Sequence, residues 1–157
     1  MSEENLTRAL ATLEGQLGQS TPPTPWYEVT QEKIDAFAEV SGDFQWIHVD
    51  VERATEGPFG APIAHGNLTL ALMGHLPGIE NTRPPPLEGQ KMGINYGFDR
   101  VRFPAPVPAG ARIRVSSALK RAEIKGGMIE VMNEFVVELE GSEKPAMVAE
   151  KLNRYVF

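Results

Sequence analysis

Apolar residues in the first forty positions recur at helical spacing. Four leucines stand three or four residues apart, a pattern that places them on one face of a helix: Leu6, Leu10, Leu13 and Leu17. The run TPPTP that follows cannot continue a helix, because proline lacks the backbone N–H. A second helix is predicted to begin at Thr30, a residue type favoured at helix starts, and to end at Ser41-Gly42.

A third segment, from Gly66 to Leu76, is apolar on nearly every side of a helix. A helix of this kind is expected to be buried. Beyond it, the stretch PGIENTRPPPLEGQ is rich in proline and polar residues and reads as a surface loop.

The second half of the chain changes to a period of two, which is typical of half-buried strands. Ile94, Tyr96 and Phe98 alternate with other residues, and Gly126-Gly127 marks a tight turn between two later runs. Asn133 is the polar exception within the inner set of the run 129–139. Helices followed by antiparallel strands indicate an α+β domain, with the helix at Gly66 covering the sheet.

Composition narrows the function. The 157 residues fit one domain, and the net charge of −6 argues against a general nucleic-acid binder. Cysteine is absent, so disulfides, thiolate metal sites and a cysteine nucleophile are excluded. The start of the chain lacks a signal-peptide pattern, and no apolar stretch is long enough to span a bilayer. We therefore expect a cytoplasmic protein without membrane insertion.

Candidate chemistry lies between Gly42 and Gly66. Asp43 and His48 are five residues apart in a predicted loop, and both suit general acid–base work. This spacing alone is weak, because Asp43 could cap a turn and His48 could be an ordinary buried imidazole. The pair His65-Gly66 stands at a predicted helix start, where unpaired backbone N–H groups can bind an oxygen. Gly66 is expected to let a ligand approach that backbone.

In these residues the chain resembles a known family. GDFQWIHVDVERA followed by FGAPIAHGNLTLALM is similar to the hydratase motif of the MaoC-like dehydratases, and INYGFDRVRFPAPVPAG and KPAMVAEKLNRYV are similar to later strands of that family. The resemblance implies a hot-dog fold, in which an antiparallel sheet wraps a long central helix, and a homodimer. It divides the chain into an N-terminal helix and linker over 1–25 and a MaoC-like domain over 26–157.

The resemblance also implies an activity: reversible syn addition of water to a trans-2-enoyl thioester, giving the (3R)-3-hydroxyacyl thioester. Asp43 and His48 are then the catalytic pair, and Gly66 supplies the N–H of the oxyanion hole. Substrate-binding positions are implied at Gln45, His65, Asn95, Tyr96 and Gly97. No cofactor is expected, and the thiol carrier is coenzyme A or an acyl carrier protein. A zinc site is not expected, because His48 and His65 lie outside the usual ligand spacings.

Other residues have simpler interpretations. Asp50 is expected to cap a short helical turn, and His65 to shape the loop before Gly66. Four arginines either contact the phosphates of coenzyme A or pair with Glu130, Glu134 and Glu138 on a solvated strand face, and the ion pairs are favoured: Arg100, Arg102, Arg112 and Arg114.

Two other functions stay open. A thioesterase would use an acidic residue on the central helix, but positions 67–76 contain none. A non-catalytic acyl-thioester binding module is the third alternative. Such a degenerate member should have lost one of the catalytic pair, and both residues are present.

Overall fold

The structure is a computed structural model, and it describes residues 3–82 and 84–157. Its helices, in chain order, are Glu3–Glu14 (α1), Gln31–Ser41 (α2), Trp46–Val49 (α3), Val51–Glu56 (α4) and Gly66–Leu72 (α5), followed by a 3-10 helix at Ile79–Asn81. Its strands are Tyr27–Glu28 (β1), Met92–Arg102 (β2), Arg112–Lys125 (β3), Met128–Leu139 (β4) and Met147–Val156 (β5). Helices precede the main strands, as the α+β prediction requires.

The five strands form one antiparallel sheet in the order β1-β3-β4-β5-β2. Lys125 pairs with Met128, so Gly126 and Gly127 form a two-residue turn with positive φ values of 58° and 76°. Glycine adopts these angles without strain, and such turns match the twist of the adjoining strands. The predicted hairpin at this position is confirmed, and β2 is left at one edge of the sheet.

The helices bury one face of the sheet in two separate clusters. The first core lies under α5, where Leu68, Met73 and Leu76 pack with residues of β3, β4 and β5: Val115, Val137 and Ala149. The second core lies under α1 at the other end of the same strands. It comprises Leu6, Ala9, Leu13, Leu119, Ile129, Val131 and Phe157.

The N-terminal prediction is confirmed in its apolar face. Leu6 and Leu13 are buried and Leu10 packs against the second core, whereas Leu17 lies beyond the helix and is exposed. The linker that follows runs along β3, where Thr21 N donates to Ser117 O over 2.8 Å and Thr24 N donates to Val115 O over 2.9 Å. The proline-rich segment is therefore fixed to the sheet by backbone hydrogen bonds to β3.

Two local predictions differ from the structure. The central helix was expected to reach Leu76 but ends at Leu72, and the chain turns through Gly74 while Met73 and Leu76 stay buried. Apolar periodicity reports burial, and burial continues past the helix end. The segment after Gly42, expected as loop, contains the short α3. No helix in the described ranges is long and apolar enough to cross a membrane.

Candidate active site

The loop that carries Asp43 begins at a well-formed helix end. Gly42 caps α2 with φ of 75° and donates its N–H to Ala38 O over 2.8 Å. Glycine suits this left-handed position, which turns the chain sharply away from α2. Asp43 Oδ1 then accepts the N–H of Gln45 over 3.3 Å, directly before α3. The carboxylate is thus held in a short turn while Asp43 stays exposed.

His48 lies on α3, is buried, and has one ring nitrogen fixed by a backbone carbonyl. Its Nδ1 lies 2.6 Å from Ile63 O. A carbonyl oxygen can only accept, so Nδ1 carries the proton in the neutral ring and Nε2 keeps a lone pair. The backbone of His48 is held as well, because Gln31 Nε2 donates to His48 O over 2.7 Å. His48 is therefore oriented as a proton acceptor at Nε2.

His65 contacts both members of the predicted pair. Its Nε2 donates to Asp43 O over 2.9 Å, and its ring stacks on His48 with centroids 3.8 Å apart. Phe37 closes the other side at 5.0 Å, so His65 is buried. His65 Nδ1 has no hydrogen-bond partner among the described residues. The sequence predicted a loop-shaping role, but nothing in the spacing of the two histidines indicated that their rings stack.

The three side chains also raise the question of a metal. Ligand atoms of Asp43, His48 and His65 lie within 4.8 Å of one another, so the expectation that the two histidines are far apart is wrong in space. The rings, however, are only 25° from parallel at a centroid separation of 3.8 Å. Zinc binds in the plane of an imidazole at about 2 Å. At this separation and angle, the planes of the two imidazole rings intersect much farther than about 2 Å from the ring nitrogens. One ion therefore cannot lie in both planes at bonding distance, and the stacking does not suit a shared metal.

Gly66 begins α5 beside this group. The N–H groups of Gly66 and Asn67 have no acceptor inside the helix, because the first turn lacks a preceding carbonyl. A Cβ atom on Gly66 would lie 3.0 Å from Cε2 of Phe103, which is closer than carbon atoms normally approach. The structure thus gives packing against Phe103 as the reason for glycine here, where the sequence suggested only a ligand.

The remaining predicted site residues lie on β2, apart from Gln45. Asn95 accepts a hydrogen bond from Asn153 over 3.1 Å, and the ring of Tyr96 lies 3.5 Å from the Arg154 guanidinium. Gly97 has open space where a side chain would stand. None of the contacts found among the described residues joins these three positions to Asp43 or His48.

Of two predictions about neighbouring charges, one is confirmed and the other is confirmed in part. Asp50 caps α4, accepting the N–H of Arg53 over 3.1 Å. The favoured arginine ion pairs are confirmed in part. Arg114 pairs with Glu138 as expected, whereas Arg112 pairs with Glu140. Glu134 pairs with Lys120, and Glu130 pairs with Lys125 and Arg154. Glu140 had not been expected as a partner.

Comparison with known proteins places this geometry in context. Residues 13–140 match the model of the MaoC like domain. The chain is 47% identical over 149 residues to the 3-hydroxyacyl-thioester dehydratase Z of Mycobacterium tuberculosis, covering 94% of this chain and 96% of that protein. It is 41% identical over 143 residues to the nodulation protein N of Rhizobium leguminosarum, covering 90% of this chain and 87% of that protein.

Solved structures agree in fold. A monoamine oxidase regulatory protein from Archaeoglobus fulgius superposes with a TM-score of 0.74 at 25% identity, covering 89% of this chain and 90% of that chain. An (R)-hydratase from A. caviae superposes with a TM-score of 0.62 at 22% identity, covering 87% of this chain and 94% of that chain. The expected fold, a curled antiparallel sheet around a central helix, is confirmed.

Proposed function

Because the chain belongs to the MaoC-like dehydratase family, we propose that it is a hydro-lyase acting on acyl thioesters. It adds water reversibly to a trans-2-enoyl thioester and gives the (3R)-3-hydroxyacyl thioester. One observation carries the assignment of residues. His48 is buried and oriented with Nε2 as the acceptor, and both His48 and Asp43 contact the same residue, His65.

In the hydration direction, Asp43 and His48 Nε2 bind one water. As the water oxygen bonds to C3, one member of the pair accepts a proton from it, and His48 Nε2 has the lone pair to do so. The pair returns a proton to C2 and ends in its starting state. Both steps occur on the face of the substrate turned toward these groups, so the addition is syn.

The thioester oxygen is assigned to the start of α5. Negative charge develops on this oxygen while C3 is attacked, and the N–H of Gly66 is the donor proposed for it. The ring of Phe103 packs against Gly66 and is partly exposed beside this helix start. We assign Gln45 to the turn that holds Asp43, because its N–H binds that carboxylate.

The direct test is hydration of trans-2-crotonyl-CoA by the purified chain, with the configuration of the product determined by an (R)-specific dehydrogenase. We expect loss of the enoyl absorbance and an (R) product. Release of free coenzyme A would instead indicate a thioesterase. Binding of crotonyl-CoA without turnover would indicate the non-catalytic alternative, and either result would overturn the proposal.

We also propose that two copies of the chain pair along β2. This strand is at the edge of the sheet, and across its two faces it exposes four large apolar side chains, which soluble proteins usually cover. They are Met92, Ile94, Tyr96 and Phe98. Light scattering should give a dimer for the natural chain and a monomer for Ile94→Lys, and a monomeric natural chain would contradict the proposal. Independence from cofactors and a cytoplasmic location stay predictions.

A further inference from the structure

One side chain of α2 binds the backbone of the candidate catalytic histidine. Gln31 is the first residue of α2, and its Nε2 donates to His48 O over 2.7 Å and to Asp35 Oδ1 over 2.8 Å. A carbonyl oxygen and a carboxylate oxygen accept hydrogen bonds and do not donate them. The nitrogen of the Gln31 amide must therefore face both groups, and both of its hydrogens are used.

The short helix α3 needs such attachments. It has four residues, Trp46–Val49, and a single helical turn is unstable in isolation. Its carbonyl groups lack donors inside the helix, as at every helix end. Gln31 supplies a donor to His48 O, and Ile63 N supplies another to Ile47 O over 3.0 Å. Two neighbouring segments therefore hold α3 in place.

His48 is fixed at two different points. Ile63 O accepts the hydrogen bond of the ring at Nδ1 over 2.6 Å, whereas Gln31 holds the main chain at the carbonyl. A ring held at one nitrogen alone could still move with its backbone, and Nε2 would move with it. The two hydrogen bonds together set the position of Nε2 relative to Asp43.

Asp35 keeps the Gln31 amide in this orientation. It lies four residues after Gln31, so both side chains are on one face of α2. Oε1 of Gln31 is buried and has no hydrogen-bond partner among the described residues, which is unfavourable. Reversing the amide would direct Oε1 at two acceptors, His48 O and Asp35 Oδ1. The amide is therefore held in the orientation that binds His48, although its own oxygen stays unpaired.

Helix α2 does not need the Gln31 amide for its own start. Thr30 caps the helix, because its Oγ1 accepts the N–H of Lys33 over 3.4 Å. Ile34 and Ala38 are fully buried and anchor the helix to the rest of the protein. The purpose of the amide therefore lies outside α2, at His48.

We propose that Gln31, oriented by Asp35, is a positioning residue that holds His48 Nε2 in place for proton transfer with Asp43. This inference depends on the hydratase function proposed above. Gln31 acts through the His48 carbonyl and touches no reacting atom. Its loss should therefore slow the proton transfer and leave substrate binding intact.

The test measures kcat and KM for crotonyl-CoA hydration in Gln31→Glu and Gln31→Leu, which keep the size of the side chain and remove both donors. We expect kcat to fall about 30-fold at constant KM, since a misplacement of about 1 Å can cost about 100-fold. Gln19→Leu is the matched control. It removes an amide-to-carbonyl bond of the same kind, from Gln19 Nε2 to Gly15 O at 2.9 Å, and should keep kcat.

Asp35 gives a readout that a merely structural role would not move. Asp35→Ala should lower kcat about fivefold, because the amide keeps its donors and loses the charge-assisted bond that orients it. The double variant Gln31→Leu/Asp35→Ala should lose no more than Gln31→Leu alone, since Asp35 acts through the amide.

The outcomes are distinct. A natural chain that does not hydrate crotonyl-CoA would overturn the hydratase function and this inference with it. An active natural chain with unchanged kcat in folded Gln31→Glu would overturn this inference alone, and so would a rise in KM at constant kcat. Losses that multiply in the double variant would contradict the orientation of Gln31 by Asp35. Thermal unfolding checks that the variants fold. If neither Gln31 variant folds, Asp35→Ala decides at an exposed position, and unchanged kcat there would overturn the inference.

Discussion

The two ends of the concave sheet face are covered by helices that serve different purposes. At one end α5 begins beside His48 and His65, and each of these rings has a nitrogen bound to a particular backbone carbonyl. At the other end α1 contributes leucines to the second core and no group to the candidate site. Catalysis should therefore depend on a few oriented polar groups at the α5 end, whereas the α1 end should affect stability alone.

The largest expected effect tests the α5 end. Asp43→Asn should lower kcat for crotonyl-CoA hydration by about 1,000-fold, because the amide can neither accept nor return a proton. The midpoint of thermal unfolding should stay nearly constant, since Asp43 is exposed and the amide can still accept the Gln45 N–H.

Asp50→Asn is the matched control for this change. Asp50 stands seven positions after Asp43 and caps α4, and asparagine caps a helix about as well as aspartate. Both kcat and stability should stay close to those of the natural chain. Equal losses in the two variants would show that Asp43 acts only through local structure.

The part of the site that the sequence predicted is the part held by neighbours in the chain. Asp43, Gln45 and His48 are joined by the turn before α3, so a short motif identifies them. The stacking of His65 on His48 depends on Ile63 O and on how two segments meet, which no short spacing encodes.

The second effect tests the α1 end. Leu6→Ala should lower the free energy of unfolding by about 3 kcal/mol, because Leu6 is buried in the second core and its removal leaves a void. Urea unfolding measures this loss, and kcat for crotonyl-CoA should be retained below the transition. Leu17→Ala, at an exposed leucine of the same series, should cost far less. A large loss of kcat in folded Leu6→Ala would contradict the division between the two ends.

Prediction of the fold was limited in the same way, because local spacing does not encode how distant segments meet. The leucines of α1 and the alternation in β3 and β4 indicated which faces are buried, and both cores contain residues from them. The alternation in β2 was misleading, because Ile94, Tyr96 and Phe98 are exposed and the pairing with β5 shifts register between Asn95 and Gly97. The end of α5 was misplaced because Met73 and Leu76 enter the first core from turns, and burial alone does not distinguish a turn from a helix. Sequence periodicity thus located the buried surfaces better than the boundaries of the elements.

The third effect concerns His65, proposed as a positioning residue at the α5 end. His65→Ala removes the donor to Asp43 O and the ring beneath His48, so kcat should fall by about 10- to 100-fold with little change in KM. His65→Gln can offer an amide N–H to Asp43 O, and it should recover part of kcat. A rise in KM with unchanged kcat would instead support the substrate-binding role that the sequence suggested for His65.

The smallest effect concerns charge at the α1 end. Glu130 lies between Ile129 and Val131 of the second core, and its carboxylate faces the opposite side of the sheet. Lys125 Nζ donates to it over 2.8 Å, and Arg154 Nε donates over 3.0 Å. The hydrogen bond from Lys125, followed by that from Arg154, lowers the pKa of Glu130 below its ordinary value of 4.5, against the opposing effect of burial.

A lowered pKa in the folded state fixes the direction of the pH dependence. The stabilisation by Glu130 is complete above the ordinary pKa of 4.5, and it is lost as the pH falls through the lower folded value. Glu130→Gln should therefore cost about 1 kcal/mol near neutral pH, and the difference from the natural chain should shrink in acid. Urea midpoints of both proteins across this range measure it. A difference that stays constant with pH would mean that glutamine acts through local packing at position 130, and that the charge of Glu130 contributes nothing to stability.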